Sequence, residues 1–406
     1  MLVPQLIQKI TQEFECPGFI YDLNGFREGV NGFKTLFEKN VFGFYACKSN
    51  PLSDFIKIAR EAGLGVDVAS VGELDQTLRC GVDPTAVIVT GPAKSKQIFH
   101  RFLKRGVKRF VVESLNQLHW LDECCFEWGM QAEVLLRIQL SWDRESHSVL
   151  GGNEISAFGL DPGQWEALNV HRYKNIDLSG FHFFQWGNVL ALEDLSHIWD
   201  SSAQVGLELA RKLGIAPRVI DIGGGLGIPY TDDEHSSGIP LSEVINAYSE
   251  FATRCPFELV YLEPGRYLSG PFGVYCTRIL DRKTVRGREL LILEGGSNHI
   301  LRPMLTSQGF PAKLLSYERD GMENSSELKD FYVHGPLCTA LDKLGVHRLP
   351  ASSKPGDWLI FSQCGAYGFT ESMPFFLAHP LAFEAVVENG EWECRRAPEP
   401  PGNWLV

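Results

Sequence analysis

The sequence predicts an α/β barrel of eight parallel strands over residues 24–261, followed by an antiparallel β-barrel or sandwich over residues 262–406. Three observations predict it. Through the first two thirds of the chain, short apolar runs alternate with amphipathic stretches of helical period, the mark of βα units and hence of parallel strands. About eight such units fit into roughly 240 residues, the usual size of a closed (β/α)8 barrel. From about Leu262 the texture changes to apolar runs split by Gly, Pro and Asp turns, with few helical patterns between them. An open, doubly wound sheet is the competing arrangement for the first part.

Taken in order, Val41 to Ala46 reads as the first strand of the repeat. Pro51 to Ala62 follows with Leu52, Phe55, Ile56 and Ala59 on one helical face. Val66 to Ala69 is a strand, and Ser70 with Glu73 three residues on has the spacing of a helix-opening capping box. Ala86 to Thr90, Arg109 to Glu113, Ala132 to Ile138, Leu178 to Phe184, Arg218 to Ile222 and the apolar run Leu259 to Leu262 continue the theme. In the second part, Val274 to Leu280, Glu289 to Leu293, Asp330 to His334, Trp358 to Phe361 and Phe383 to Val387 read as strands. Pro398 to Pro401 marks a Pro-rich tail.

A chain of 406 residues exceeds one typical domain and suggests two. The formal net charge of -12 argues against nucleic acid or an anionic membrane as the main partner. No run approaches the roughly 18–20 apolar residues of a membrane helix, and the polar start, with Lys9 and Glu13, is unlike a secretory signal. The ten cysteines form no Cys-x-x-Cys pair and no zinc-ligand spacing with histidine. The expectation is a cytoplasmic protein with reduced thiols, most of them small buried side chains, and no metal.

Five segments could carry chemistry. In Tyr45-Ala-Cys-Lys-Ser-Asn50 a lysine, Lys48, ends a strand, and the C-terminal strand ends of a parallel barrel form its active face. A lysine there can form a Schiff base when its surroundings lower its pKa, although alone it reads as a surface residue. In Asp221-Ile-Gly-Gly-Gly-Leu-Gly-Ile-Pro-Tyr230, the glycines Gly223, Gly224 and Gly225 let backbone N–H groups converge on an anion, or simply form a tight bend. The segment fits neither a dinucleotide fingerprint nor a Walker loop. Glu263-Pro-Gly-Arg266 sets a carboxylate and a guanidinium at another strand end. The first can hold a pyridine nitrogen protonated, the second can add to phosphate binding. His334-Gly-Pro-Leu-Cys338-Thr-Ala-Leu-Asp342 offers a thiol with a nearby carboxylate, and Cys364-Gly-Ala-Tyr367-Gly a phenol.

In this order the segments resemble the fold-type III pyridoxal-phosphate decarboxylases, the group of the diaminopimelate, ornithine and arginine enzymes. The resemblance runs from about Phe19 to Val387. It implies an alanine-racemase-like barrel followed by the β domain, with residues 1–23 joining the latter. It implies pyridoxal 5'-phosphate as cofactor, with Lys48 as the Schiff-base lysine, Gly223, Gly224 and Gly225 as the phosphate cradle and Glu263 as the partner of the pyridinium. Arg266 is similar to a phosphate or substrate-carboxylate contact, Asp67 to the acid near the lysine, Arg137 to an active-site arginine and Tyr367 to the tyrosine near the phosphate. Cys338 looks like the cysteine that reaches the neighbouring subunit's site and protonates the quinonoid carbon. That implies a head-to-tail homodimer with shared sites.

The sequence departs from the group's pattern in three places. Its Gly-x-His-x-His-x-Gly-Ser segment is here Gly180-Phe-His-Phe-Phe-Gln-Trp-Gly-Asn188, so the ring that stacks on the cofactor is Phe184, or His182 if the loop is shifted. Where the diaminopimelate enzymes carry a glutamate for the distal ammonium, and ornithine enzymes an aspartate, this chain has Thr339. Asn298-His-Ile-Leu-Arg302-Pro is similar to the diaminopimelate enzymes, with Arg302 facing a distal carboxylate or carbonyl. A distal pocket with Arg302, Thr339 and Asp342, a cation and no obvious anion, points to a substrate with an anionic or acyl far end. The resemblance to Cys-Thr-x-x-Asp members suggests a siderophore or antibiotic pathway, with a citryl-amino acid or carrier-protein-bound glutamate as substrate. The rivals are diaminopimelate decarboxylase itself, a racemase on the same cofactor, and a non-catalytic decarboxylase-like regulator.

Overall fold

A computed structural model describes residues 2–140, 155–230, 238–316, 321–322 and 327–405. It divides into two compact units, Arg27–Gly227 with Ile239–Tyr267, and Met1–Phe26 with Ile228–Gly238 and Leu268–Val406.

Strand β1 (Gly18–Asp22) belongs to the second unit. The first is a closed parallel barrel of β2 (Val41–Ala46), β3 (Gly65–Val68), β4 (Val87–Val89), β5 (Arg109–Val112), β6 (Ala132–Ile138), β7 (Ile176–Phe183), β8 (Val219–Asp221) and β9 (Leu259–Leu262), with β9 pairing back onto β2. The helices between them open on side-chain caps. Ser70 accepts from the Glu73 amide, Ser95 from that of Ile98, and Ser114 from that of Gln117. The Glu73 carboxylate returns to the Ala69 amide at 2.6 Å, one residue before the box position.

Because alternate strand residues point the same way, inward positions recur every second residue. Phe44, Ile88, Val111, Leu135, Val219 and Tyr261 form one buried apolar cluster. Two residues toward the strand starts, Arg109 pairs with Glu133 at 3.0 Å and lies over the Phe44 and Tyr261 rings, closing the barrel's N-terminal end. Two residues beyond the apolar layer, toward the strand ends, come Thr90, Glu113, Arg137, Asp221 and Glu263.

The second unit holds a ten-stranded sheet. Its strands are β1, β10 (Gly273–Val285), β11 (Arg288–Leu293), β12 (Ala312–Ser316), β13 (Gly321–Met322), β14 (Leu328–His334), β15 (Lys343–Pro350), β16 (Trp358–Phe361), β17 (Phe383–Glu388) and β18 (Glu391–Arg396). The sheet is mixed rather than purely antiparallel, since β1 runs parallel to β17 and β11 parallel to β14. Neither pair is joined by a hairpin, and only a tight hairpin would force opposite directions. The helix Pro4–Phe14 buries Ile7 and Ile10 against Ile20, Cys276, Trp358 and Phe383, and Phe14 stacks on Phe383 at 4.4 Å. No helix among the described residues is long and apolar enough to cross a membrane.

Candidate active site

The C-terminal ends of the eight barrel strands each contribute a polar side chain: Lys48, Asp67, Thr90, Glu113, Arg137, His182, Asp221 and Glu263. All but Lys48 are buried. Lys48 sits in a short turn, Cys47–Ser49, directly after β2. Its Nζ donates to Oδ2 of Asp67 across the Ala46–Asp67 register of β2 and β3. The other Asp67 oxygen accepts from Thr90 Oγ1 at 2.6 Å. Burial and then the nearby Glu263 raise the Asp67 pKa, against the pull of Lys48.

On the opposite arc, His182 Nε2 lies 3.2 Å from Glu263 Oε1. Burial would raise the Glu263 carboxyl, but the His182 charge and hydrogen bond outweigh it and lower the pKa to about 2. Burial opposes charge on His182 as well, yet Glu263 and Asp221 raise its pKa overall. Asp221 is pushed up to about 7, by burial and then by Glu263. One Asp221 oxygen accepts from the Gly223 amide at 2.8 Å, while Asp221 Oδ2 and His182 Nδ1 have no hydrogen-bond partner. His182, Asp221 and Glu263 each offer an atom within 4.8 Å of the others, a spacing a metal could use. His182 Nε2 is already on Glu263, so the histidine and Glu263 form a hydrogen-bonded pair around a carboxylate held ionised, with Asp221 close by.

Gly223, Gly224 and Gly225 leave β8 with no room for side chains. A Cβ at Gly223, whose φ is +64°, would meet Phe184 at 2.8 Å. One at Gly224 would meet the Glu263 carbonyl at 2.7 Å, and one at Gly225 the Trp186 carbonyl at 3.0 Å. The Glu263 amide donates to the Gly223 carbonyl at 2.7 Å, which locks this loop to the start of Glu263-Pro-Gly-Arg266. Arg266, half-buried, opens the next short helix. Phe184 is half-buried with its ring against the first two glycines, whereas His182 is fully buried.

Arg137 donates from Nη1 to Glu113 Oε1 at 3.2 Å and lies over the Phe158 ring at 4.3 Å. The second Glu113 oxygen accepts from the Gly159 amide at 2.8 Å. Beside them Lys94, 3% exposed, donates to the Gly91 carbonyl. Burial lowers its pKa to about 8, against the pull of Glu113. Thr90, Lys94, Glu113 and Asp221 carried no sequence assignment. The alternation of inward residues would have found Glu113, two places after Val111, but a lysine five residues beyond a strand end follows no period.

The remaining candidates lie in the sheet unit. Cys338 is exposed in the turn after β14. The Thr339 hydroxyl accepts from the Leu341 amide at 3.2 Å. Asp342, expected at the substrate, is buried, and its two oxygens accept from the amides of Ser297 and Leu337 at 2.8 Å each. It ties two loops together, and a Cβ at Gly296 or Gly335 would collide with its carboxylate. Tyr367 adopts φ +53°, and the Arg302 guanidinium lies over its ring at 4.9 Å. Arg302 Nη1 also donates to Glu371 Oε2 at 3.0 Å. This corrects the expectation of a cation without an anion. Glu371 comes from the loop after Gly-Ala-Tyr, and backbone bonds from Leu301 to Glu371 and from Met373 to Ser297 bring it to Arg302. No linear motif announces a pairing made by two loops 69 residues apart.

A profile of the family described as "Pyridoxal-dependent decarboxylase, pyridoxal binding domain" matches residues 23–270. The chain is 26% identical over 401 residues to the L-glutamyl-[BtrI acyl-carrier protein] decarboxylase of Niallia circulans, covering 96% of this chain and 93% of that protein. It is also 26% identical over 404 residues to the diaminopimelate decarboxylase of Aquifex aeolicus, covering 97% and 91%. In fold it is similar to the crystal structure of diaminopimelate decarboxylase from Helicobacter pylori complexed with L-lysine, with a TM-score of 0.86, 22% identity and 98% of each chain covered. The barrel residues fit pyridoxal 5'-phosphate: a glycine cradle that any Cβ would fill, a lysine at a strand end, and a buried carboxylate held ionised.

Proposed function

Since this chain belongs to the pyridoxal-dependent decarboxylase family, we propose that it removes the α-carboxylate of an amino acid whose far end is a neutral acyl group. It is a decarboxylase and uses pyridoxal 5'-phosphate. Glutamate tethered to a carrier protein is the substrate type that fits best. Loss of the α-carboxylate needs a free α-amine and α-carboxylate, so the tether must run through the side-chain carboxyl. The observation that carries this reading is the Arg302–Glu371 pair, and the neutral Thr339 that follows Cys338 in the sequence supports it. Arg302 is only 12% exposed and its charge is already balanced by Glu371, so its remaining N–H donors suit a carbonyl better than a second carboxylate.

Bound pyridoxal phosphate supplies the electron sink that lets the carboxylate leave as CO2. Lys48 would hold it covalently, Gly223, Gly224 and Gly225 with Arg266 and Tyr367 its phosphate, Phe184 a face of its ring, and Glu263 its ring nitrogen, with Arg137 alongside. Asp67 accepts from Lys48 Nζ and keeps a proton at that amine. His182 donates to Glu263 and keeps that carboxylate charged, so that it can hold a proton on a neighbouring base. Cys338, with an exposed thiol, is the proton donor to the α-carbon, acting from the partner subunit of a cytoplasmic homodimer. Support for a partner surface comes from the consecutive Phe375, Phe376 and Leu377, which are 65%, 44% and 45% exposed. Large apolar side chains clustered at a surface mark interaction sites.

A second reading, diaminopimelate decarboxylation, is favoured by the same Glu371, because an anion beside Arg302 could meet a distal ammonium. A screen of CO2 release separates the two. Side-chain-linked glutamyl thioesters on a carrier, citryl-amino acids, meso-diaminopimelate and free amino acids are offered to the holoenzyme. Release from the thioester and not from meso-diaminopimelate is expected, and the reverse would replace the acyl reading.

A further inference from the structure

We propose that Glu371 sets the specificity of the distal pocket, keeping Arg302 from binding a free carboxylate and reserving it for a neutral carbonyl. The proposal rests on the placement of Arg302 at the substrate's far end given above. What carries it is the geometry of the pair. Glu371 reaches Arg302 through one contact, Nη1 to Oε2 at 3.0 Å, and the face of the guanidinium lies over Tyr367 at 4.9 Å. A single-point pair leaves most of the five guanidinium N–H groups for other acceptors.

The pair is also held from both sides. The Leu301 amide donates to the Glu371 carbonyl at 3.3 Å, the Glu371 amide donates to the Gly368 carbonyl at 3.1 Å, and the Met373 amide to the Ser297 carbonyl at 3.1 Å. These bonds fix the Glu371 backbone beside Arg302. A carboxylate arriving at Arg302 would face the Glu371 charge a few ångströms away, in a site where Arg302 is 12% and Glu371 31% exposed. Like charges at such a separation repel by several times RT at an effective dielectric of about 20. A neutral amide or thioester carbonyl meets the same donors without that repulsion. Negative selection of this kind works by raising the free energy of the wrong ligand.

The test uses the holoenzyme and two small probes, glutarate and its monoamide, which differ only in the charge of one end. Binding is read from the change in cofactor absorbance. Wild type is expected to bind the monoamide at least about tenfold tighter than glutarate, a difference of about 1.4 kcal/mol. Glu371→Gln should remove that preference by tightening glutarate, and Glu371→Asp, which keeps the charge, should retain it. A purely structural role for Glu371 would weaken both probes together and leave the ratio unchanged. An unchanged ratio in Glu371→Gln, a wild type that prefers glutarate, or a wild type that binds neither probe overturns the proposal. A wild type with the expected preference that releases no CO2 from a glutamyl thioester would instead sink the carrier-substrate reading and leave the role of Glu371 standing.

Discussion

His182 Nε2 and Glu263 Oε1 lie 3.2 Å apart with both side chains buried at the end of the barrel. The pair is a stability device with a definite pH window. Glu263 has its folded pKa lowered, to about 2 from an ordinary 4.5, so its contribution is present above 4.5 and is lost as the pH falls toward 2. His182 has its folded pKa raised, so its contribution is fully present below the ordinary 6.5 and is lost as the pH rises through the raised value. Both hold together between about pH 4.5 and 6.5. His182→Asn leaves a buried carboxylate without its cation, at a cost of about 3 kcal/mol. Urea unfolding of wild type and variant across pH 5 to 9 should show the gap widest at the acid end and narrowing above the raised His182 value. A gap constant with pH would mean that the histidine is packed there as a neutral ring.

Lys94 carries the sign opposite to that of His182. Its folded pKa is lowered from 10.5 to about 8 by burial, so the unfolded chain binds more protons between those values and wild type gains stability as the pH rises from 8 to 10.5. Lys94→Met removes that dependence. The stability of wild type relative to the variant should rise by about 3 kcal/mol between pH 7.5 and 10.5. A flat difference would place the Lys94 amine in contact with water.

Much of this site could be read before the fold was known. All eight barrel strands show in the apolar runs, because a strand buried on both faces has little choice but Val, Ile, Leu and Phe. Lys48, Asp67, Glu263 and the three glycines stand at or next to strand ends, where a parallel barrel gathers its chemistry. The sheet unit was less legible. Strands β1, β12, β13, β15 and β18 were not anticipated, and strand pairings such as that of Gly18 with Phe383 join residues hundreds of positions apart. The same holds at the site. Glu113 follows from alternation with Val111, while the Arg302–Glu371 pair depends on two loops meeting, which no local pattern records.

The glycine cradle should be intolerant of a single methyl. Gly224→Ala puts a Cβ 2.7 Å from the Glu263 carbonyl, so the backbone that carries the buried carboxylate must move. The expected result is at least tenfold weaker pyridoxal phosphate binding, equivalent to about 1.4 kcal/mol, in a variant that still folds. Gly163→Ala, where a Cβ meets nothing within 4 Å, is the matched control. Equilibrium dialysis of the cofactor reads the difference, and equal affinity in the two variants would remove these glycines from the phosphate site.

Lys48 and Cys338 belong to different compact units of the chain, and the proposed homodimer has Lys48 of one subunit and Cys338 of the other complete each site. Lys48→Ala should lose the cofactor that borohydride reduction otherwise fixes to the protein. Cys338→Ala should keep that cofactor while losing most CO2 release. Neither homodimer then has a complete site. In an equal mixture that has exchanged subunits, half the dimers are hybrids, and each hybrid carries one intact site out of two. Activity should therefore return to about a quarter of wild type, as the arithmetic of a two-fold assembly requires. Activity that stays near zero in a mixture proven to contain hybrids would mean that each subunit completes its own site.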